Sequence, residues 1–97
     1  MLDLTQEQRR LIEGIIFSVF SKDVEISIYG SRVTGKARPY SDLDILLKAS
    51  APLSLEQMAE IKDKFSESNL PFLVDITDWN NISNDFKERI TTESVSL

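Results

Sequence analysis

Apolar residues recur along this chain with two periods, and the alternation between them outlines the fold. Leu11, Ile12, Ile15, Ile16, Val19 and Phe20 fall at helical spacing and make one stripe. Thr5 and Gln8 stand ahead of that stripe at capping-box spacing, so a helix is predicted over about Gln6 to Phe20. From Val24 to Tyr29 the period drops to two: Ile26 and Ile28 lie on one side, and Glu25, Ser27 and Tyr29 on the other. Gly30 to Tyr40 holds two glycines, a proline and several polar residues, and reads as a loop. Strand character returns over Ser41 to Lys48, with Leu43, Ile45 and Leu47 on one face and Asp42, Asp44 and Leu46 on the other.

Pro52 precedes a second capping box at Ser54 and Gln57, and Leu55, Met58, Ile61 and Phe65 follow as the expected buried face of a second helix. That helix should stop near Ser68–Asn69, before Pro71. Phe72 to Thr77 alternates again, with Phe72, Val74 and Ile76 opposed to Leu73, Asp75 and Thr77. A third helix is expected over about Ile82 to Thr92, anchored by Phe86 and Ile90, and Val95 and Leu97 suggest a short terminal strand. The order is α-β-loop-β-α-β-α. A helix between the second and third strands predicts a parallel crossover, and the first two strands can pair antiparallel across the loop. The fold class is α/β (α+β): a small mixed sheet flanked by helices, forming one domain over residues 1–97.

Composition narrows the chemistry. The chain has no cysteine and no histidine, which removes thiol nucleophiles, zinc-thiolate sites and the commonest neutral-pH base. Catalysis must then use carboxylates, hydroxyls, lysine, arginine or a hard cation held by oxygen. No apolar run approaches the roughly 18 residues of a membrane span. The start, MLDLTQEQRR, lacks the basic and apolar regions of a signal peptide, so a cytoplasmic protein is expected. A net charge of −5 argues against direct nucleic-acid binding, which ordinarily needs a basic surface. Arg32, Lys36 and Arg38 nevertheless cluster in one loop, as a local anion site would require.

That loop runs into Asp42-x-Asp44. Residues two apart on a strand point the same way, about 6.5–7 Å apart at Cα, so the two carboxylates project together and repel unless a cation or proton intervenes. Mg²⁺ suits them, because it is typically shared between one or two carboxylates and substrate phosphates. A two-ion site usually needs a further acid. Asp75 is in phase to supply it, on a strand expected beside that of Asp44. Gly30 lets backbone approach a ligand, Ser31 offers a hydroxyl and an N–H, and Arg32, Lys36 and Arg38 balance phosphate charge. Each part alone has a plain structural explanation. Gly-Ser is a common turn, Asp-x-Asp is usually solvated, and Asp78 is an ordinary helix cap. Their coincidence in spacing and strand phase is what points to a nucleoside triphosphate site.

Gly30-Ser31, ten residues, then Asp42-x-Asp44 resembles the motif of the DNA polymerase beta-type nucleotidyltransferase superfamily. More narrowly, YGSRVTGKARPYSDLDILL is similar to the minimal nucleotidyltransferases (MNT proteins) of bacteria and archaea. The resemblance spans nearly the whole chain, including FLVDITDW as the strand of the third acid; Ser94 stands where relatives often carry glycine. It implies that Gly30 and Ser31 hold the triphosphate, that Asp42 and Asp44 bind two Mg²⁺ ions, and that Asp75 completes the triad and helps activate the acceptor hydroxyl. It also implies transfer of AMP from ATP to a protein hydroxyl, a tyrosine of a small helical HEPN-type toxin, as in antitoxins of that class. The short chain leaves few residues to wall off the acceptor, so a hetero- or homo-oligomer is expected to complete the site. Two other functions fit the same motif less well: a non-catalytic antitoxin that works by occlusion, and a small-molecule nucleotidyltransferase of the aminoglycoside-modifying type.

Overall fold

The computed structural model describes residues 4–34 and 42–97. Lys36 and Arg38, and the expected start of the second strand at Ser41, lie outside the described residues. Helix α1 spans Gln6–Phe20, and both halves of its Thr5–Gln8 capping box are made. A 3₁₀ turn over Ser21–Asp23 leads into β1, Glu25–Tyr29. The segment after Gly30, expected as loop, opens with a four-residue helix α2, Ser31–Thr34. Strand β2 is Leu43–Lys48, α3 is Leu55–Ser66 with the Ser54–Gln57 capping box closed, and β3 is Val74–Asp78. After a 3₁₀ turn at Trp79–Asn81, α4 covers Asn84–Glu93 and β4 is Val95–Ser96. Ser83 caps α4 by accepting from the Phe86 N–H.

The strands form one mixed sheet in the order β3-β2-β1-β4. β1 pairs antiparallel with β2, and β2 pairs parallel with β3, as the helix between them requires. β4 closes the other edge against β1. Ser94, before β4, takes φ −81 and ψ 153, extended backbone that any residue adopts, so this turn does not require glycine.

One face of the sheet carries the main core. Ile12 and Ile16 of α1 and Ile61 and Phe65 of α3 pack with Ile26, Ile28, Leu43, Ile45, Leu47 and Ile76. Leu55 departs from expectation: it is 90% exposed. It is the first residue of α3 and lies about 120° round the helix from Ile61, at the edge of the stripe and off the mouth of the helix. The opposite face is covered as well. Phe86 of α4 meets Tyr29 edge-on with ring centroids 6.2 Å apart, which sets α4 over the side that bears Tyr29, Asp44 and Asp75. Leu46 and Ile90 are buried there, outside the main core cluster. Among the described residues no helix is long and apolar enough to cross a membrane.

Asp78 has the structural part foreseen for it. One carboxylate oxygen accepts from the Asn80 N–H at 3.1 Å and the other from the Leu53 N–H at 2.9 Å, so it caps the 3₁₀ turn and ties down the segment before α3.

Candidate active site

The site is built from three adjacent strands in register. Tyr29 of β1 lies opposite Asp44 of β2, and Asp44 lies opposite Asp75 of β3. The parallel β2–β3 pairing therefore sets two carboxylates side by side one strand spacing apart, about 4.8 Å. Asp42 precedes β2 on the same face by parity, and both Asp42 and Asp75 are exposed while Asp44 is half-buried.

Gly30 completes the arrangement. Its φ of +84 belongs to the left-handed region that glycine tolerates, and it turns the chain out of β1 toward α2. A Cβ there would overlap the Asp44 carboxylate oxygen Oδ2 and stand 3.3 Å from its Cγ. The backbone thus approaches the acid as closely as it can, and only a residue without a side chain allows it. Ser31 follows as the first residue of α2, and the Val33 N–H donates to the Gly30 carbonyl at 3.0 Å.

Burial pushes the Asp44 carboxyl above the ordinary carboxylate value, and the neighbouring charges of Asp75 and then Asp42 push it further. Burial likewise raises the Tyr29 hydroxyl. Its hydrogen bond to Thr77 opposes that shift, and the charges of Asp44 and Asp75 reinforce it. The site is therefore a concentration of negative charge in partial isolation from water, the electrostatic condition that a cation relieves. Among the described residues no group of three acids stands close enough, as oriented, to enclose a metal ion together.

The basic residues divide. Arg32 is buried, 5% exposed, with its guanidinium carbon 4.0 Å from the centroid of the Phe72 ring, a cation–π contact joining α2 to the segment before β3. Lys36 and Arg38 lie outside the described residues. A cleft of about 500 Å³ opens beside Asp42, lined by Lys62, Phe65, Ser66, Phe72 and Leu73 among others. Sequence reasoning missed this cleft, since its walls come from α3 and the chain before β3. It also missed Tyr29 and Thr77, although both share the strand parity of the acids.

A family model, Polymerase beta, Nucleotidyltransferase, matches residues 15–97. The chain belongs to that family. This nucleotidyltransferase is 39% identical over 89 residues to the probable protein adenylyltransferase MntA of Haemophilus influenzae, an alignment covering 92% of this chain and 77% of that protein. Its fold is similar to that of a crystal structure of a toxin–antitoxin with AMP-PNP, with a TM-score of 0.69 and 24% identity over 87% of this chain and 70% of that one. It is also similar to a solved structure of the tri-AMPylated Shewanella oneidensis HEPN toxin in complex with MNT antitoxin. The TM-score there is 0.62 and the identity 24%, over 91% of this chain and 70% of that one. The two structural likenesses carry the fold, and the matched relative carries the family.

Proposed function

We propose that this chain is a protein adenylyltransferase acting as an antitoxin: it transfers AMP from ATP, with Mg²⁺, to a tyrosine hydroxyl of a small helical HEPN-type toxin. The observation that carries the reading is the Gly30–Asp44–Asp75 geometry. A side-chain-free turn lies against a carboxylate that stands in register with a second one. All the donors are carboxylate oxygens, the set Mg²⁺ prefers, and the exposed Asp42 and Asp75 side chains have rotamer freedom to close on an ion with Asp44. When bound, two such ions supply stabilisation of the attacking and leaving oxygens. Gly30 and Ser31, with Lys36 and Arg38, receive the triphosphate. Arg32 adds positive charge beneath them while it braces Phe72. The acceptor oxygen displaces pyrophosphate at the α-phosphorus, forming one P–O bond as another breaks, and Asp75 accepts the hydroxyl proton. The relatives' complexes with AMP-PNP and with an AMPylated HEPN toxin support both the nucleotide and the partner.

The test is co-expression with the product of the neighbouring gene, followed by intact-mass spectrometry of that protein. A gain of one or more AMP units with the wild type, lost with Asp44→Asn while the two proteins still co-purify, is the expected result. An unmodified partner that is silenced equally well by Asp44→Asn would instead establish inhibition by occlusion.

A further inference from the structure

The Tyr29 side chain does more than fill the acid-bearing face. Its hydroxyl lies 2.8 Å from Thr77 Oγ1, and that contact joins β1 to β3 although the two strands are not neighbours in the sheet. The tyrosine therefore crosses β2, a span of two strand spacings or about 9–10 Å. Its path is diagonal: Tyr29 lies opposite Asp44, whereas Thr77 lies opposite Leu46. The ring thus passes over β2 between Asp44 and Leu46. Phe86 holds the ring edge-on from α4, with the two ring planes at 83°.

This crossing bears on both acids. Tyr29 is followed at once by Gly30, whose backbone lies against the Asp44 carboxylate. Thr77 is two residues from Asp75 on the same strand face. A bond between the Tyr29 and Thr77 side chains fixes the end of β1 relative to β3, and with it how closely Gly30 presses on Asp44 and how Asp44 faces Asp75. The edge strand β3 has one sheet partner among the described residues, so its hydrogen-bonded link to β1 within the sheet runs through β2.

We propose that Tyr29 and Thr77 are positioning residues whose hydrogen bond spans β2 and holds Asp44 and Asp75 as one cation-facing pair. The inference rests on the reading of these acids as the metal-binding residues of nucleotidyl transfer. Neither residue touches the reacting atoms; both act through the carboxylates.

The experiment measures Mn²⁺, an oxygen-seeking stand-in for Mg²⁺, binding to the purified chain with AMP-PNP, read from the spin-resonance signal of free Mn²⁺. Melting temperatures are taken on the same samples. Tyr29→Phe keeps the ring and its contact with Phe86, and Thr77→Val keeps the branched shape suited to a strand. Each should weaken Mn²⁺ binding roughly three- to tenfold, the size of one neutral hydrogen bond, while Thr77→Ser, which retains the hydroxyl, should stay within about twofold of wild type. The double variant should be no weaker than the weaker single one, because both remove the same bond. If Asp44→Asn abolishes binding but Tyr29→Phe and Thr77→Val bind as wild type does, the positioning role is wrong and the site stands. A fall in melting temperature without a change in Mn²⁺ affinity also overturns it, since the bond would then be merely structural. A wild type that binds no Mn²⁺ with AMP-PNP removes the reading of the site, and this inference with it.

Discussion

The Asp44 carboxylate occupies the space that a side chain at position 30 would fill, so Gly30 and Asp44 are fitted to each other. Gly30→Ala therefore meets two obstacles: a φ of +84 that disfavours any Cβ, and an overlap with Asp44 Oδ2. The backbone term alone is about 1–2 kcal/mol. Displacing a carboxylate by about 1 Å can lower a rate by on the order of a hundredfold. We expect a lower melting temperature together with loss of AMP transfer, measured by thermal denaturation and by mass spectrometry of the partner.

The raised Asp44 carboxyl gives a pH signature. Because the folded protein holds that proton more tightly than the unfolded chain, stability falls as pH climbs from the ordinary value of 3.8 toward the raised one and stays level beyond. Asp44→Asn removes the buried charge and its repulsion from Asp75 and Asp42. The variant should melt above wild type at neutral pH, and the gap should close below pH 3.8, where both side chains are neutral in folded and unfolded protein. Paired melting curves across that range check it.

Cation binding should reverse the same penalty. ATP with Mg²⁺ at about a hundredfold over the dissociation constant stabilises a fold by roughly 2.7 kcal/mol. We expect wild type to gain several degrees in melting temperature from ATP with Mg²⁺ beyond its response to ATP alone, and Asp44→Asn and Asp75→Asn to lose that metal-dependent part.

Ser21 ends α1 with φ 57 and ψ −162, a backbone region suited to glycine. Strain of this kind is about 1–3 kcal/mol, offset in part by the extra freedom glycine has when unfolded. Ser21→Gly should therefore stabilise by about 1 kcal/mol, or roughly 4–8 °C in a domain of this size, without altering Mn²⁺ binding. Calorimetry decides the sign.

Leu46 tests the second layer of packing. It is 5% exposed although it shares the face of Asp44, the face on which Phe86 of α4 meets Tyr29. Leu46→Ala should cost about 2–5 kcal/mol in urea unfolding, as burial in a packed site predicts. A solvent-facing strand position would lose almost nothing.

Much of this protein was legible in its sequence because local rules act over a few residues. The capping boxes at Thr5–Gln8 and Ser54–Gln57 begin their helices where the sequence indicates, and strand alternation puts Asp44 and Asp75 on the face opposite Ile45 and Ile76. The helix between β2 and β3 predicts their parallel pairing, which the sheet bears out. Leu55 escaped the same reasoning because helical periodicity does not tell the edge of an apolar stripe from its centre. Arg32 read as a loop cation, and its burial against Phe72 depends on a residue forty positions away.

What the sequence determined by itself is the inventory: which residue types are available for catalysis, which face of each strand they occupy, and where glycine frees the backbone. The tertiary structure alone decided adjacency. The register that sets Tyr29, Asp44 and Asp75 in one row, the Tyr29–Thr77 bond across β2, and the contact of Phe86 with Tyr29 all join residues far apart in the chain. Periodicity fixes the direction of a side chain, but its neighbours are set by strand pairing and packing, which are properties of the whole fold.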